Sequence, residues 1–180
     1  MMQNVSGGWQ IRTDKRKEER MNKIRMATSQ DKEELLSLYR TMLYGPADWN
    51  EYYPNEDTID FDLSRDALFV MENESHQIIA AISIDEDEAV DVLPCWNKEI
   101  APGGELSRLC VRKDMQNKGL GKEMMRYAFD ILKKQGKQSV HILVKTGHKV
   151  ALSAYSSLGF QMVGDCNLFE KDFICMERKL

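Results

Sequence analysis

Residues Glu105 to Met125 read ELSRLCVRKDMQNKGLGKEMM. An apolar run, ELSRLCV, leads into a turn holding Gly119 and Gly121 between Lys118 and Lys122, and the chain continues at once into EMMRYAFDILKK. Leu120, Met124, Ala128, Ile131 and Leu132 recur there at spacings of three and four, the period of an amphipathic helix that begins near the glycines. The first N–H groups of a helix have no partner within it, and glycine lets an anion come close, so strand, glycine turn and helix in that order suit a phosphate. Two close glycines also make ordinary turns. Two familiar phosphate motifs fail on residue identity: a P-loop needs glycine where Gln116 stands and Ser or Thr where Glu123 stands, and the dinucleotide fingerprint needs glycine where Met124 stands. What remains is Gln-x-x-Gly-x-Gly.

The 180 residues, 42% of them hydrophobic, suffice for one core, and the expectation is a single domain over 21–180 behind a polar lead-in over 1–20. A net charge of −4 argues against a general nucleic-acid surface. Apolar runs such as IIAAISI are far too short to cross a bilayer. Cys95, Cys110, Cys166 and Cys175 lack Cys-x-x-Cys spacing and the three histidines form no ligand cluster, so no metal is expected. The first 20 residues lack the apolar core of a secretory signal, and the expectation is a cytoplasmic protein with reduced cysteines.

KIRMAT reads as a strand, and SQDKEELLSLYRTML as a helix capped by Thr28 or Ser29 with Leu35, Leu38, Tyr39 and Met42 on one face. Trp49, Tyr52 and Tyr53 then mix with Glu56, Asp57, Asp60 and Asp62, either as a loop and short helix tucked onto the core or as a cleft wall that attracts a cation. ALFVMENESHQIIAAISIDEDE reads as a β-hairpin turning at Asn73 to His76. After ELSRLCV and its helix come a strand, QSVHILVKT, a short helix, VALSAYSSL, stopped by Gly159, and closing strand segments FQMVGDCNLF and DFICMERKL. The order is that of a mixed α/β (α+β) fold.

Gln116-x-x-Gly119-x-Gly121 behind a strand, followed some thirty residues later by Ala151-x-x-x-Tyr155-x-x-x-Gly159-Phe160, resembles the core of the GCN5-related N-acetyltransferases. The resemblance is strong over Glu105 to about Phe160, extends to the earlier residues by element order alone, and does not reach the first 20. It implies a mixed, mostly antiparallel central sheet flanked by helices and splayed where acetyl-CoA enters. It further implies that amides of Asn117, Lys118, Gly119, Leu120, Gly121 and Lys122, with Gln116, hold the pyrophosphate, and that Leu109, Cys110 and Val111 offer backbone groups to the pantetheine arm.

Tyr155 matches the tyrosine that protonates the departing thiolate in many members; the alternative is a packed helix aromatic. A protonated alkylamine, pKa ~10.4, needs a base or a desolvating site, and Glu105 stands where the histone-acetylating branch places its glutamate; otherwise it follows Gly103-Gly104 into solvent. His148 replaces the Asn that often precedes Ala151, where it touches pantetheine in the family, and Leu143 replaces the glutamate of the branch acting on protein N-termini. His141 is assigned no chemistry, and Cys110 is read as packing rather than as a nucleophile.

The leading reading is therefore direct acetyl transfer from acetyl-CoA to a primary amine. The acids from Glu56 to Asp62 and Asp85 to Asp91 suggest a small cationic acceptor such as a polyamine, an aminoglycoside or a lysine side chain, with Trp49 and Tyr53 as acceptor contacts. Competing readings are a protein lysine or N-terminal acetyltransferase and a non-catalytic acyl-CoA sensor. No nucleic-acid or membrane partner is expected, and homodimers occur widely in the resembling family.

Overall fold

A computed structural model describes residues 22–180, so the expectation for the 1–20 segment lies outside the described residues. Strands β1 (Lys23–Met26), β2 (Leu68–Glu72), β3 (Ile78–Asp85), β4 (Gly103–Val111), β5 (Ser139–Lys145), β6 (Gln161–Leu168) and β7 (Lys171–Lys179) form one sheet in the order β1-β2-β3-β4-β5-β7-β6. Every neighbouring pair is antiparallel except β4–β5, which is parallel. Helices α1 (Lys32–Arg40) and α2 (Glu56–Ser64) lie on one face, α4 (Leu120–Lys134) and α5 (Lys149–Ser156) on the other, and a one-turn helix, α3 (Glu88–Asp91), follows β3.

Local chemistry explains the element ends. The expected first helix opens instead as a 3-10 turn over Ser29–Asp31, with Thr28 as its cap and the Thr28 N–H donating to the Asp31 carboxylate at 2.7 Å. Arg25 clamps the same carboxylate at 2.7 Å and also bonds Glu72, joining β1 to β2 and to the helix start. In α4 the apolar stripe predicted from spacing is buried as Leu120, Met124, Ala128 and Leu132, against Ile79, Leu106 and Val140 of the sheet.

Strand β4 carries the irregularity that shapes the molecule. Ala81 pairs with Cys110 and Ser83 with Ser107, so one extra residue of β4 faces the same length of β3. This β-bulge holds Arg108 at φ 52, in the left-handed region that bulky residues avoid. An extra residue flips the faces of everything after it. Leu106, Leu109 and Val111 consequently all face the α4 side, while Cys110 joins Tyr39 and Val70 on the α1 side.

Close approach fixes another position. A Cβ on Gly104 would lie 2.4 Å from Cδ2 of Leu132, which is fully buried, so α4 rests directly on the β4 backbone where β4 meets β5. Gly104→Ala should destabilise the fold by about 1–3 kcal/mol through overpacking, measured as a lowered denaturant midpoint at unchanged slope.

Candidate active site

Strands β4 and β5 pair at Gly103–Ser139, Gly104–Val140 and Glu105–His141, and there the pairing stops. Beyond it the β5-facing edge of β4 is open from Leu106 to Val111. Two adjoining clefts of about 830 Å³ and 410 Å³ occupy the gap, and both are lined by Trp49, Leu109, His148, Ala151 and Tyr155.

The smaller cleft runs from Leu109, Cys110 and Val111 to Gln116, Asn117, Gly119, Leu120, Gly121 and Lys122. Asn117 at φ 61 and Gly119 at φ 83 bend the chain so that α4 starts at Leu120, and its first residues, Leu120, Gly121 and Lys122, line the cleft. A Cβ on Gly121 would touch nothing closer than Val111 and Leu109 at 3.7 and 3.8 Å, so its glycine keeps the cleft open rather than relieving a clash. The Gln116 amide donates to the Val111 carbonyl at 3.0 Å and ties the turn to the end of β4.

The larger cleft is lined by Trp49, Tyr53, Asp57, Asp85, Glu105 and Arg108 among others. Arg108, almost wholly buried, donates from Nη2 and Nε to Asp62 at 2.7 and 2.9 Å, and from Nη1 to Asp85 at 2.6 Å and to the Tyr53 hydroxyl at 3.0 Å. Arg65 reaches Asp62 at 3.0 Å and Asp85 at 3.3 Å, while Ser83 and Ser107 donate to the same two carboxylates. Burial opposes charge on Arg108, but Tyr53, Asp62 and Asp85 keep it firmly protonated, and Arg108 in turn holds the Asp85 carboxyl below its usual range despite burial. Two carboxylates and two guanidiniums thus neutralise one another.

Glu105 is left over. It is 6% exposed, sits opposite Asp85 on β3, and its Oε2 has no hydrogen-bond partner. Burial first, and then the negative charge of Asp85, push its carboxyl up to about 8; Asp87 and Asp91 act in the same direction against Arg108. Tyr155 on α5 is buried, and burial raises its phenol to about 12. Burial lowers the imidazole of His148, which precedes α5, and raises the Cys110 thiol to about 12.

The profile of the acetyltransferase (GNAT) family matches residues 32–160, which include the turn, Glu105 and Tyr155. The chain belongs to this family. As a GNAT protein it is an acetyl-transferring enzyme. No curated protein sequence matches it significantly. Among solved structures, it is similar to a ribosomal-protein-alanine N-acetyltransferase from Brucella melitensis, with 21% identity, TM-score 0.69, and 87% of this chain and 99% of that one covered. It is also similar to the Salmonella typhimurium protein yncA, solved with its cofactor acetyl-CoA, with 20% identity, TM-score 0.67, and 89% and 94% covered. A paia N-acetyltransferase from Thermoplasma acidophilum, in complex with coenzyme A, matches with 21% identity, TM-score 0.67, and 89% and 99% covered. At these identities the solved structures establish the mixed, mostly antiparallel open sheet of the GNAT fold.

The Cys110 thiol faces away from the cleft into the α1-side cluster, as a packed side chain, and offers the cleft backbone only. Other sequence expectations change in detail on this GNAT frame. The Gln116 side chain is engaged by Val111, and Lys118 does not line either cleft. Of the early acids, Glu56 and Asp60 lie at 3.6 and 2.7 Å from Lys32 and Asp62 is neutralised by Arg108, so Asp57 is the one that lines the cleft. Trp49 and Tyr53 do line it, Trp49 packing edge-on against Tyr39 at 5.5 Å. Arg108 was missed: a lone arginine inside an apolar strand segment is the signal that could have found it, since a buried guanidinium requires carboxylate partners.

The raised Glu105 carboxyl makes a pH prediction. In the unfolded chain it ionises near its ordinary value of 4.5, in the fold near 8, so the fold binds the extra proton and loses stability as pH rises through that window. Glu105→Gln should therefore melt with wild type at pH 4 and increasingly above it from pH 5 to pH 8; equal melting temperatures across the range would show that the carboxyl is not perturbed.

Proposed function

We propose that this enzyme transfers acetyl from acetyl-CoA directly to the primary amine of a small cationic acceptor, with Glu105 as base and Tyr155 as acid. The observation that carries the reading is Glu105, a buried carboxyl with an unpartnered oxygen in a cleft whose other carboxylates at that point already have their counter-ions. An ammonium is the counter-ion that Glu105 lacks. A cation arriving past Asp57, Glu86, Asp87 and Glu88 at the cleft wall draws Glu105 into its ionised form, and desolvation lowers the hold of the nitrogen on its proton.

Glu105 accepts that proton, and the freed lone pair attacks the thioester carbon. The tetrahedral intermediate collapses by breaking the C–S bond. Tyr155, whose raised phenol stays protonated at neutral pH, gives its proton to the sulfur and recovers one from the new amide nitrogen. Products are the N-acetylamine, the CoA thiol and one net proton. The pyrophosphate sits on the amides of Asn117 to Lys122 and pantetheine runs along the open edge of β4 at Leu109 to Val111, with His148 and Ala151 opposite. An acyl-enzyme on Cys110 is disfavoured by its buried, protonated thiol on the far face.

Thiol release from acetyl-CoA across polyamines, aminoglycosides, amino acids and lysine peptides tests this. Turnover should appear with a small polycation, and Tyr155→Phe should lower kcat by about 10- to 100-fold with a smaller change in KM. Saturable acetyl-CoA binding without turnover on any amine would favour the sensor instead.

A further inference from the structure

Behind Glu105, outside the lining of the larger cleft, lies a second buried polar group that the chemistry above leaves unused. His141 of β5 is the register partner of Glu105, is 3% exposed, and has no hydrogen-bond partner on either ring nitrogen. Among the described residues, the buried side-chain atoms without a partner are Tyr39 Oη, Arg65 Nε, Glu105 Oε2, His141 Nδ1 and His141 Nε2. Three of these fall on two adjacent residues. Unpaired polar atoms inside a core cost stability, so their concentration beside the open end of the β4–β5 pairing calls for a role.

The surroundings of His141 give it a direction. Its Nε2 lies 3.4 Å from Asp91 Oδ1, and the Asp91 side chain is 53% exposed. Its Nδ1 points over Gly103, where a Cβ would come within 2.9 Å, so glycine leaves that side of the ring clear. Trp96 stacks on the ring at 4.6 Å and is itself fixed by its indole N–H donating to the Val90 carbonyl at 2.8 Å. The ring therefore lies on the strand position beside the buried Glu105, with its Nε2 toward an exposed carboxylate.

We infer that His141 and Asp91 form the exit by which the proton collected at Glu105 reaches solvent. This rests on the reading of Glu105 as base. Each turnover releases one net proton, and Glu105 must shed it as the next ammonium draws the carboxyl into its ionised form. The Glu105 O–H bond breaks and the proton passes to His141 Nδ1 through an intervening water. The Nε2 proton then passes to Asp91 Oδ1 and on to bulk water, and exchange with water returns the ring to its Nε2–H form. Burial, opposed by Asp91 and reinforced by Lys137, keeps the imidazole neutral near pH 7 and so able to accept. The other charged groups facing the pair are Asp85, Asp87 and Arg108 around Glu105, and Glu177, the β7 register partner of His141, whose carboxylate accepts the Asn97 N–H at 3.0 Å. His141 acts through Glu105 and does not touch the reacting atoms.

The test uses His141→Gln and the exposed, fold-sparing Asp91→Asn, with thiol release followed at saturating amine in dilute buffer and again with imidazole added. His141→Gln should lose about 10-fold in kcat, less than the ~10²–10⁴-fold of proton transfer as a whole, with KM within about twofold of wild type. Added imidazole should restore kcat in proportion to its concentration and leave wild type unchanged. Asp91→Asn should show a smaller loss with the same rescue. Wild-type kcat in both variants, or a loss that imidazole relieves in neither, would overturn the relay. Glu105→Gln, run alongside, separates the two claims: if it alone abolishes turnover, the base stands and the relay falls, whereas full activity in Glu105→Gln removes both.

Discussion

The pairing of β4 with β5 ends at Glu105 and His141, and the charges buried at the bulge just beyond secure that ending. A bulge alone would be a soft kink. Here Arg108 is fastened by Asp62 from α2 and Asp85 from β3, so the extra residue, the helix and the neighbouring strand hold one another. Removing either partner would strand a charge in a core, which typically costs about 3–5 kcal/mol. The faces of Leu109, Cys110 and Val111, the open strand edge and the two clefts all follow from this constraint.

The same ion network accounts for the electrostatics of the site. Asp62 and Asp85 are matched by Arg65 and Arg108, so of these three acids it is Glu105 that has no cation of its own. In the proposed reaction, a raised carboxyl of this kind is a weak base in the empty cleft and becomes a competent one when a cationic amine enters, which would couple acceptor binding to activation.

What could be read from the sequence is what local spacing encodes. The helical period after Gly121, the glycine turn before it and Tyr155 four residues ahead of Gly159 lie within short windows, and the structure forms the elements they predict. The bulge and its charges were not legible. Arg108 meets Asp62 across 46 residues of sequence and Asp85 across 23, and no periodicity reports such a contact. Apparent acidity misled for the same reason: Glu56 and Asp60 read as free charge until the fold brings Lys32 beside them. His141 looked inert in a β-strand, because its chemistry depends on Glu105 and Asp91 arriving from two other elements.

Hydrogen–deuterium exchange with and without acetyl-CoA tests most directly whether the parted strands are the coenzyme path. The account predicts slower exchange at the amides of Leu109 to Val111 and Asn117 to Lys122 on addition of acetyl-CoA, with β1 and β2 unchanged. Saturable binding of acetyl-CoA that leaves both of those segments exchanging at their free rates would contradict it.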